Sequence, residues 1–126
     1  LYGHELTESI DPISAGLSFA CNLKDRDFIG RDAIAKIKRD GPTRVRIGLL
    51  PTGKRPAREG CGVRSSEGTS IGEVTSGGPA PTLGHPIAMA MVDAAHAHED
   101  TFQIDIRGKQ SEARRTELPF YKRSSP

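Results

Sequence analysis

The side chains in this sequence that could do chemistry are scattered, so each grouping has to be judged on its spacing. His96 and His98 flank Ala97, and Glu99-Asp100 follows. Imidazoles beside carboxylates suit zinc, but a flexible loop seldom fixes a tetrahedral site, and the stretch reads as a solvated polar loop. Gly48-Leu49-Leu50-Pro51-Thr52-Gly53-Lys54 has the spacing of a phosphate-binding loop behind a strand. The next residue is Arg55, not the Ser or Thr that would hold Mg²⁺. Pro56 and Gly60 stand where a helix should begin. Without that helix the amides and dipole that bind phosphate are missing, and the stretch reads as a hairpin or loop turn. Ser76, in Thr75-Ser76-Gly77-Gly78, lacks the Gly-x-Ser-x-Gly elbow of a nucleophile and reads as part of a Gly-rich loop leaving a strand. His4 and His85 stand alone, as surface or hydrogen-bonded histidines. Cys21 and Cys61 have no CxxC partner and read as two reduced, partly buried thiols. No metal site is expected.

Basic residues offer the better binding hypothesis. Lys24 and Arg26 sit in a charged turn before Phe28, Lys54, Arg55 and Arg58 cluster in a loop, and Lys122 and Arg123 end the last strand. A guanidinium pairs bidentately with a carboxylate, although a solvated surface position is the simpler account of any single Arg. The net charge of +2, with acidic residues mixed among the basic ones, argues against nucleic acid as a partner. The apolar runs fall far short of a membrane span. No basic-then-apolar leader opens the chain, and Leu1 in place of an initiator Met points to truncation or processing.

The elements that must position these groups form one domain's worth of chain, 126 residues with 35% hydrophobic content and no Trp. Residues 7–12 read as a turn, and 13–19 as a short helix or a buried extended piece. From Arg31 to Arg39, Ala33, Ile34 and Ile37 share one helical face, and Gly41-Pro42 stops the helix. From Thr43 onward the pattern is β. Arg44 to Leu50 alternates Val45, Ile47 and Leu49 with more polar or small residues, and Thr101 to Arg107 alternates Phe102, Ile104 and Ile106 in the same way. Short strands are also expected over 60–64 and 70–76, with a hairpin turn at 65–68. Ile87 to Val92 is nearly all apolar and is expected to be buried on both faces. Gly108-Lys109 is the expected two-residue turn before a last, polar strand over 110–117, which is expected at an edge. Six short strands favour a small barrel or sandwich, and a closed or nearly closed antiparallel barrel is expected over residues 43–123, mainly β, preceded by a short α-containing segment. Its expected core is Val45, Ile47, Ile71, Val74, Ile87, Met89, Phe102, Ile104 and Ile106. Residues 124–126 are expected to fray.

Several separated motifs, in order, resemble one family. They are Leu1-Tyr2-Gly3-His4-Glu5-Leu6, Asp27-Phe28-Ile29-Gly30-Arg31, Gly72-Glu73-Val74-Thr75-Ser76-Gly77, Pro81-Thr82-Leu83-Gly84 and Leu118-Pro119-Phe120-Tyr121-Lys122-Arg123. Together they resemble the C-terminal part of the glycine cleavage T-protein, over nearly the whole chain. The resemblance implies a tetrahydrofolate-dependent aminomethyltransferase. Such an enzyme takes the one-carbon unit from the aminomethyl-lipoyl arm of H-protein and gives methylenetetrahydrofolate and ammonia. It implies that residues 1–42 are the end of a folate-binding body and 43–123 a C-terminal β-barrel. The family's catalytic Asp then lies upstream of Leu1, no catalytic residue is assigned here, and the chain alone is expected to be inactive. Arg26 and Arg123 fall where some members place substrate- or folate-binding arginines, suited to the carboxylates of a folate glutamate tail.

The partners implied are lipoylated H-protein and the other glycine cleavage components, in a bacterial cytoplasm or a mitochondrial matrix. The resemblance gives the barrel a place closing one side of the folate cavity and receiving the H-protein arm through a Pro-stiffened loop over 77–86 and the basic groups at 54–58 and 122–123. The sequence departs from the family at Gly78-Pro79-Ala80, where a bulkier stretch is usual, and at Phe19, where Trp is common. Ser111 to Glu117 is also more polar than the usual last strand. Two alternatives stay open: the same domain from a folate-dependent sarcosine or dimethylglycine dehydrogenase, and a stand-alone barrel binding module.

Overall fold

The computed structural model of the chain describes residues 1–123; the tail at 124–126 lies outside the described residues. Six strands close into an antiparallel barrel: β1 (Arg44–Pro51), β2 (Gly62–Arg64), β3 (Ser70–Ala80), β4 (His85–Asp93), β5 (Thr101–Ile106) and β6 (Lys109–Thr116). Their order around the barrel is β1-β4-β3-β2-β5-β6, and β6 pairs back onto β1. The expected small barrel with a short helical segment before it is therefore what forms. No helix among the described residues is long and apolar enough to cross a membrane.

One helix, α1 (Arg31–Asp40), precedes the barrel. Gly41, at φ 86°, accepts the left-handed conformation that ends it, and its N–H donates to Ile37 O. Ile34 and Ile37 are only half-buried and Ala33 is exposed, so the apolar face read from the sequence meets little of the described chain. Over 13–19 the chain makes turns as far as Gly16 and then enters a single 3-10 turn, Ser18–Ala20. Asp11 anchors them: its Oδ1 accepts the amides of Ile13 (2.9 Å) and Ser14 (3.0 Å), and its Oδ2 accepts the Ser14 hydroxyl (2.6 Å). Burial pushes the Asp11 carboxyl up, but the Ser14 hydroxyl and those amides outweigh it and hold the carboxyl below its ordinary value. Ser14 O then accepts the Arg46 amide at 3.0 Å, which fastens the segment to β1.

Inside the barrel, Ile47, Leu49, Val63, Ile71, Val74, Phe102, Ile104 and Ile106 form one cluster with Ala57, Ala88, Ala90, Val92 and Ala113. Ile71 and Val74 are three residues apart, an odd spacing for one face of a strand. The register slips at Ile71 against β2 and again at Thr75 against β4, and these bulges let both side chains reach the core.

Five expectations need correction. In β4 the inward face is Ala88, Ala90 and Val92; Ile87 and Met89 point the other way and are only half-buried, because side chains alternate even in an apolar strand. Val45 packs against the core without being fully buried. The polar strand β6 is no edge: it pairs with β5 from Thr101↔Arg114 to Ile106↔Lys109 and with β1 from Gly48↔Thr116 to Pro51↔Ala113. The β5–β6 turn is Arg107-Gly108, not Gly108-Lys109, with both residues at positive φ (57° and 78°) and Asp105 Oδ1 accepting the Gly108 amide at 2.7 Å. Finally, 77–86 is not a loop. Gly77 to Ala80 and His85 to Pro86 are paired strand, with Pro79 opposite Pro86, and only 81–84 turn.

Two distant connections are tied together by one carboxylate. Glu99 Oε2 accepts both the amide and the hydroxyl of Ser66 at 3.0 Å, and Oε1 lies 2.7 Å from His96 Nδ1. The Ser66 amide, then the imidazole, hold the Glu99 carboxyl below its ordinary value of 4.5. A lowered folded-state value means stability that is present above the ordinary Glu range and lost as pH falls through the folded value. Urea unfolding of the native chain and of Glu99→Gln should therefore differ near neutral pH and converge in acid; a constant gap across the acid range would remove the charge from this account.

The barrel also needs bare backbone at one crossing. A Cβ on Gly72 would lie 2.1 Å from Met91 O and 2.8 Å from Val92 Cα. The clash is with backbone, which cannot swing aside, so Gly72→Ala should destabilise the chain by roughly 3 kcal/mol, at the upper end of overpacking costs. Denaturant melts showing a loss below about 1 kcal/mol would contradict this packing.

Candidate functional site

The largest cleft, about 500 Å³, lies between the N-terminal turns and the outside of the barrel. His4, Thr7, Asp11, Arg44, Glu59 and Thr75 are among its lining residues. His4 Nδ1 is 3.1 Å from Glu59 Oε1 but out of line for a hydrogen bond. Arg44 is engaged with β4: Nη2 donates to Met91 O at 3.0 Å and Nε lies 3.9 Å from Asp93 Oδ1. Of its hydroxyls, Thr75 Oγ1 donates to Met89 O at 3.1 Å, the Ser14 hydroxyl is held by Asp11, and those of Thr7 and Ser9 share a bond at 2.9 Å. No nucleophile therefore stands next to a base, and the cleft can bind polar groups but has no catalytic arrangement.

Beside this cleft, Glu5 is a fully buried carboxylate. The side chains of Thr75 and Ser76 lie beside it. Its Oε1 is buried without an aligned hydrogen-bond partner. Spacing carries no signal for Glu5 beyond its place in the first motif, because its neighbours Thr75 and Ser76 lie about seventy residues on.

The basic loop and the β3–β4 hairpin come together. Lys54 borders two shallow grooves of about 340 Å³ each, one lined by Arg55, Ile106, Lys109 and Ser111, the other by Pro79, Pro81, His85 and Pro86. Arg58 Nη1 donates to Gly77 O at 3.2 Å, fastening the loop to β3. Lys54 and Arg55 are exposed. Sequence reading placed both features on one functional surface, and the fold supplies the adjacency.

The other sites picked from sequence do not converge. Arg26 and Arg123 are both exposed, and neither lines the large cleft. Lys122 pairs with Glu117 at 3.1 Å. Among the described residues no group of three or more His, Cys, Asp or Glu is arranged to hold a metal ion, and His96 and Glu99 are spent on the Ser66 tie. Cys21 and Cys61 are free thiols, both half-buried.

Comparison with known proteins bears on this geometry. Residues 44–122 match the family described as the glycine cleavage T-protein C-terminal barrel domain. An aminomethyltransferase of Exiguobacterium sibiricum is 46% identical over 124 residues, which is 98% of this chain and 34% of that protein. One of Streptomyces avermitilis is 48% identical over 129 residues, with the same shares. The crystal structure of the glycine cleavage system aminomethyltransferase T from Bartonella henselae superposes with a TM-score of 0.88 at 34% identity, over 96% of this chain and 35% of that one. The chain thus spans about a third of the length of these relatives. The closed six-stranded barrel, the match along it and the agreement in three dimensions place this chain in the glycine cleavage T-protein family, as its C-terminal barrel region.

Proposed function

We propose that this chain is the C-terminal part of a tetrahydrofolate-dependent aminomethyltransferase of glycine cleavage. The whole enzyme would take the one-carbon unit from aminomethyl-lipoyl H-protein and release methylenetetrahydrofolate and ammonia, in a bacterial cytoplasm or a mitochondrial matrix. The observation that carries this reading is the likeness over 98% of the chain to a protein named aminomethyltransferase. That name favours it over a folate-dependent dehydrogenase. In this reading residues 1–42 end the folate-binding body and 43–123 are the barrel that covers it.

Tetrahydrofolate supplies the acceptor nitrogens for the one-carbon unit. This chain's own part is binding and coverage. Arg26 and Arg123, exposed and able to present bidentate forks, suit the carboxylates of a folate glutamate tail. The surface of Lys54, Arg55 and Arg58 beside the Pro79–Pro86 hairpin suits an acidic docking partner, here H-protein. Pairing across that hairpin, rather than a free Pro-rich loop, is what stiffens it, so little entropy is lost on docking. The acid–base group that must reach the reacting amine is assigned to the part of the relatives that this chain does not span.

Two measurements test this. The isolated chain should give no turnover of aminomethyl-H-protein and tetrahydrofolate; measurable turnover would overturn the assignment of the chemistry upstream. In the full-length protein, charge reversal at Arg55 and Arg123 together should raise KM for H-protein or folate by roughly tenfold, in a salt-dependent way, with Tm nearly unchanged. Unchanged kinetics, or a loss that follows unfolding, would leave the barrel only a stabilising cover.

A further inference from the structure

A groove of about 370 Å³ runs along the outside of β1, between the turn at Gly16 and the end of β6. Gly16, Arg46, Gly48, Arg115, Thr116 and Leu118 are among its walls. Its floor is shaped by Gly48, where a Cβ would lie 2.9 Å from Leu118 Cδ2 and 3.1 Å from Thr116 Cγ2. Arg46 is the group of interest. Its backbone is fixed, since its amide donates to Ser14 O at 3.0 Å. Its guanidinium, half-buried, has no ion pair and no hydrogen bond among the described residues, and its Nε is buried without a partner. Such a group is costly to leave unmatched: an unpaired buried donor loses its water and gains nothing in exchange.

The space in front of this guanidinium is kept open by a glycine. A Cβ on Gly16 would stand 3.2 Å from Arg46 Nη2 and 3.8 Å from Nε, where an acceptor atom would otherwise sit. Gly16 also has φ 73°, so the turn requires glycine on backbone grounds, and the opening comes with the turn. Arg115 also borders the groove, next to Leu49 across the β1–β6 pair. Glu117, the one carboxylate lining the groove, is already paired with Lys122 at 3.1 Å.

We propose that this groove is an oxyanion-binding site in which the Arg46 guanidinium takes a carboxylate or phosphate group. Arg presents paired N–H donors that match two oxygens of either group. The site lies apart from Arg26, Arg123 and the basic loop at 54–58, none of which lines it. It stands or falls independently of the proposed transferase function.

The test uses the 126-residue chain at constant ionic strength, titrated separately with glutarate and with inorganic phosphate against a chloride control. Amide NMR shifts of Gly16, Gly48, Thr116 and Leu118 report occupancy. Saturable shifts with either anion and none with chloride are expected, and whichever anion binds more tightly identifies the source. Arg46→Met keeps the side chain's length and apolar stem; it should weaken binding by at least roughly tenfold. If Arg46→Met lowers Tm, Arg46→Lys, which keeps the charge and loses the fork, should still weaken binding severalfold at unchanged Tm. Absence of saturation with both anions, an equal response to chloride, or full binding by both Arg46 variants would overturn the site.

Discussion

Closure through β6 is the constraint on which the rest of this structure depends. That strand is rich in polar residues, yet it is bonded on both sides, to β5 from Lys109 to Arg114 and to β1 from Ala113 to Thr116. Its backbone, rather than its side chains, holds it there: only Ala113 is buried, and Lys109, Gln110, Glu112, Arg114 and Arg115 face solvent. With β6 in place the barrel is closed, and β1 is bonded to β4 over Arg44–Leu49 and to β6 over Gly48–Pro51. The grooves and loops outside the barrel are then displayed on a rigid body.

Close packing of backbone on backbone follows from the small girth of the barrel. β3 crosses β4 with Gly72 against Met91 O, and Gly77 brings the same strand against Ala57 O, where a Cβ would lie at 2.3 Å. The core answers with alanines. Ala57, Ala88, Ala90 and Ala113 line the inside opposite Phe102, Leu49 and Ile104, so large and small side chains alternate across a narrow space. The two register slips in β3 bend it around this core, and the second falls at Thr75, beside the buried Glu5.

Binding features sit where the outside of the barrel meets other chain. The N-terminal turns make the large cleft, the loop at 52–61 meets the β3–β4 hairpin at the basic surface, and the Gly16 turn and the end of β6 enclose Arg46. None joins a nucleophile to a base. Arginines and lysines supply most of the charge at the second and third of these places, and that suits recognition of anionic groups rather than bond breaking. A barrel that covers and recognises is consistent with a chain spanning about a third of its relatives.

Much of this was legible in the sequence, for identifiable reasons. Alternation in 44–50 and 101–107, the Gly-Pro stop after α1 and the separated motifs each depend on neighbours in sequence, so they determined the strands, the helix end and the family by themselves. The inward face of β4 was not legible, because an all-apolar strand carries no period; only pairing with β1 and β3 decided that Ala88, Ala90 and Val92 face in. Whether β6 lay at an edge was decided only by its second partner, β1. The Arg107-Gly108 turn was set by register with β5, since Arg at positive φ leaves no mark in composition. Arg46, Glu5 and the Ser66–Glu99–His96 tie belonged to tertiary structure alone. Their significance is the burial or distance of a polar group relative to residues tens of positions away, and spacing along a chain does not encode contact across a barrel.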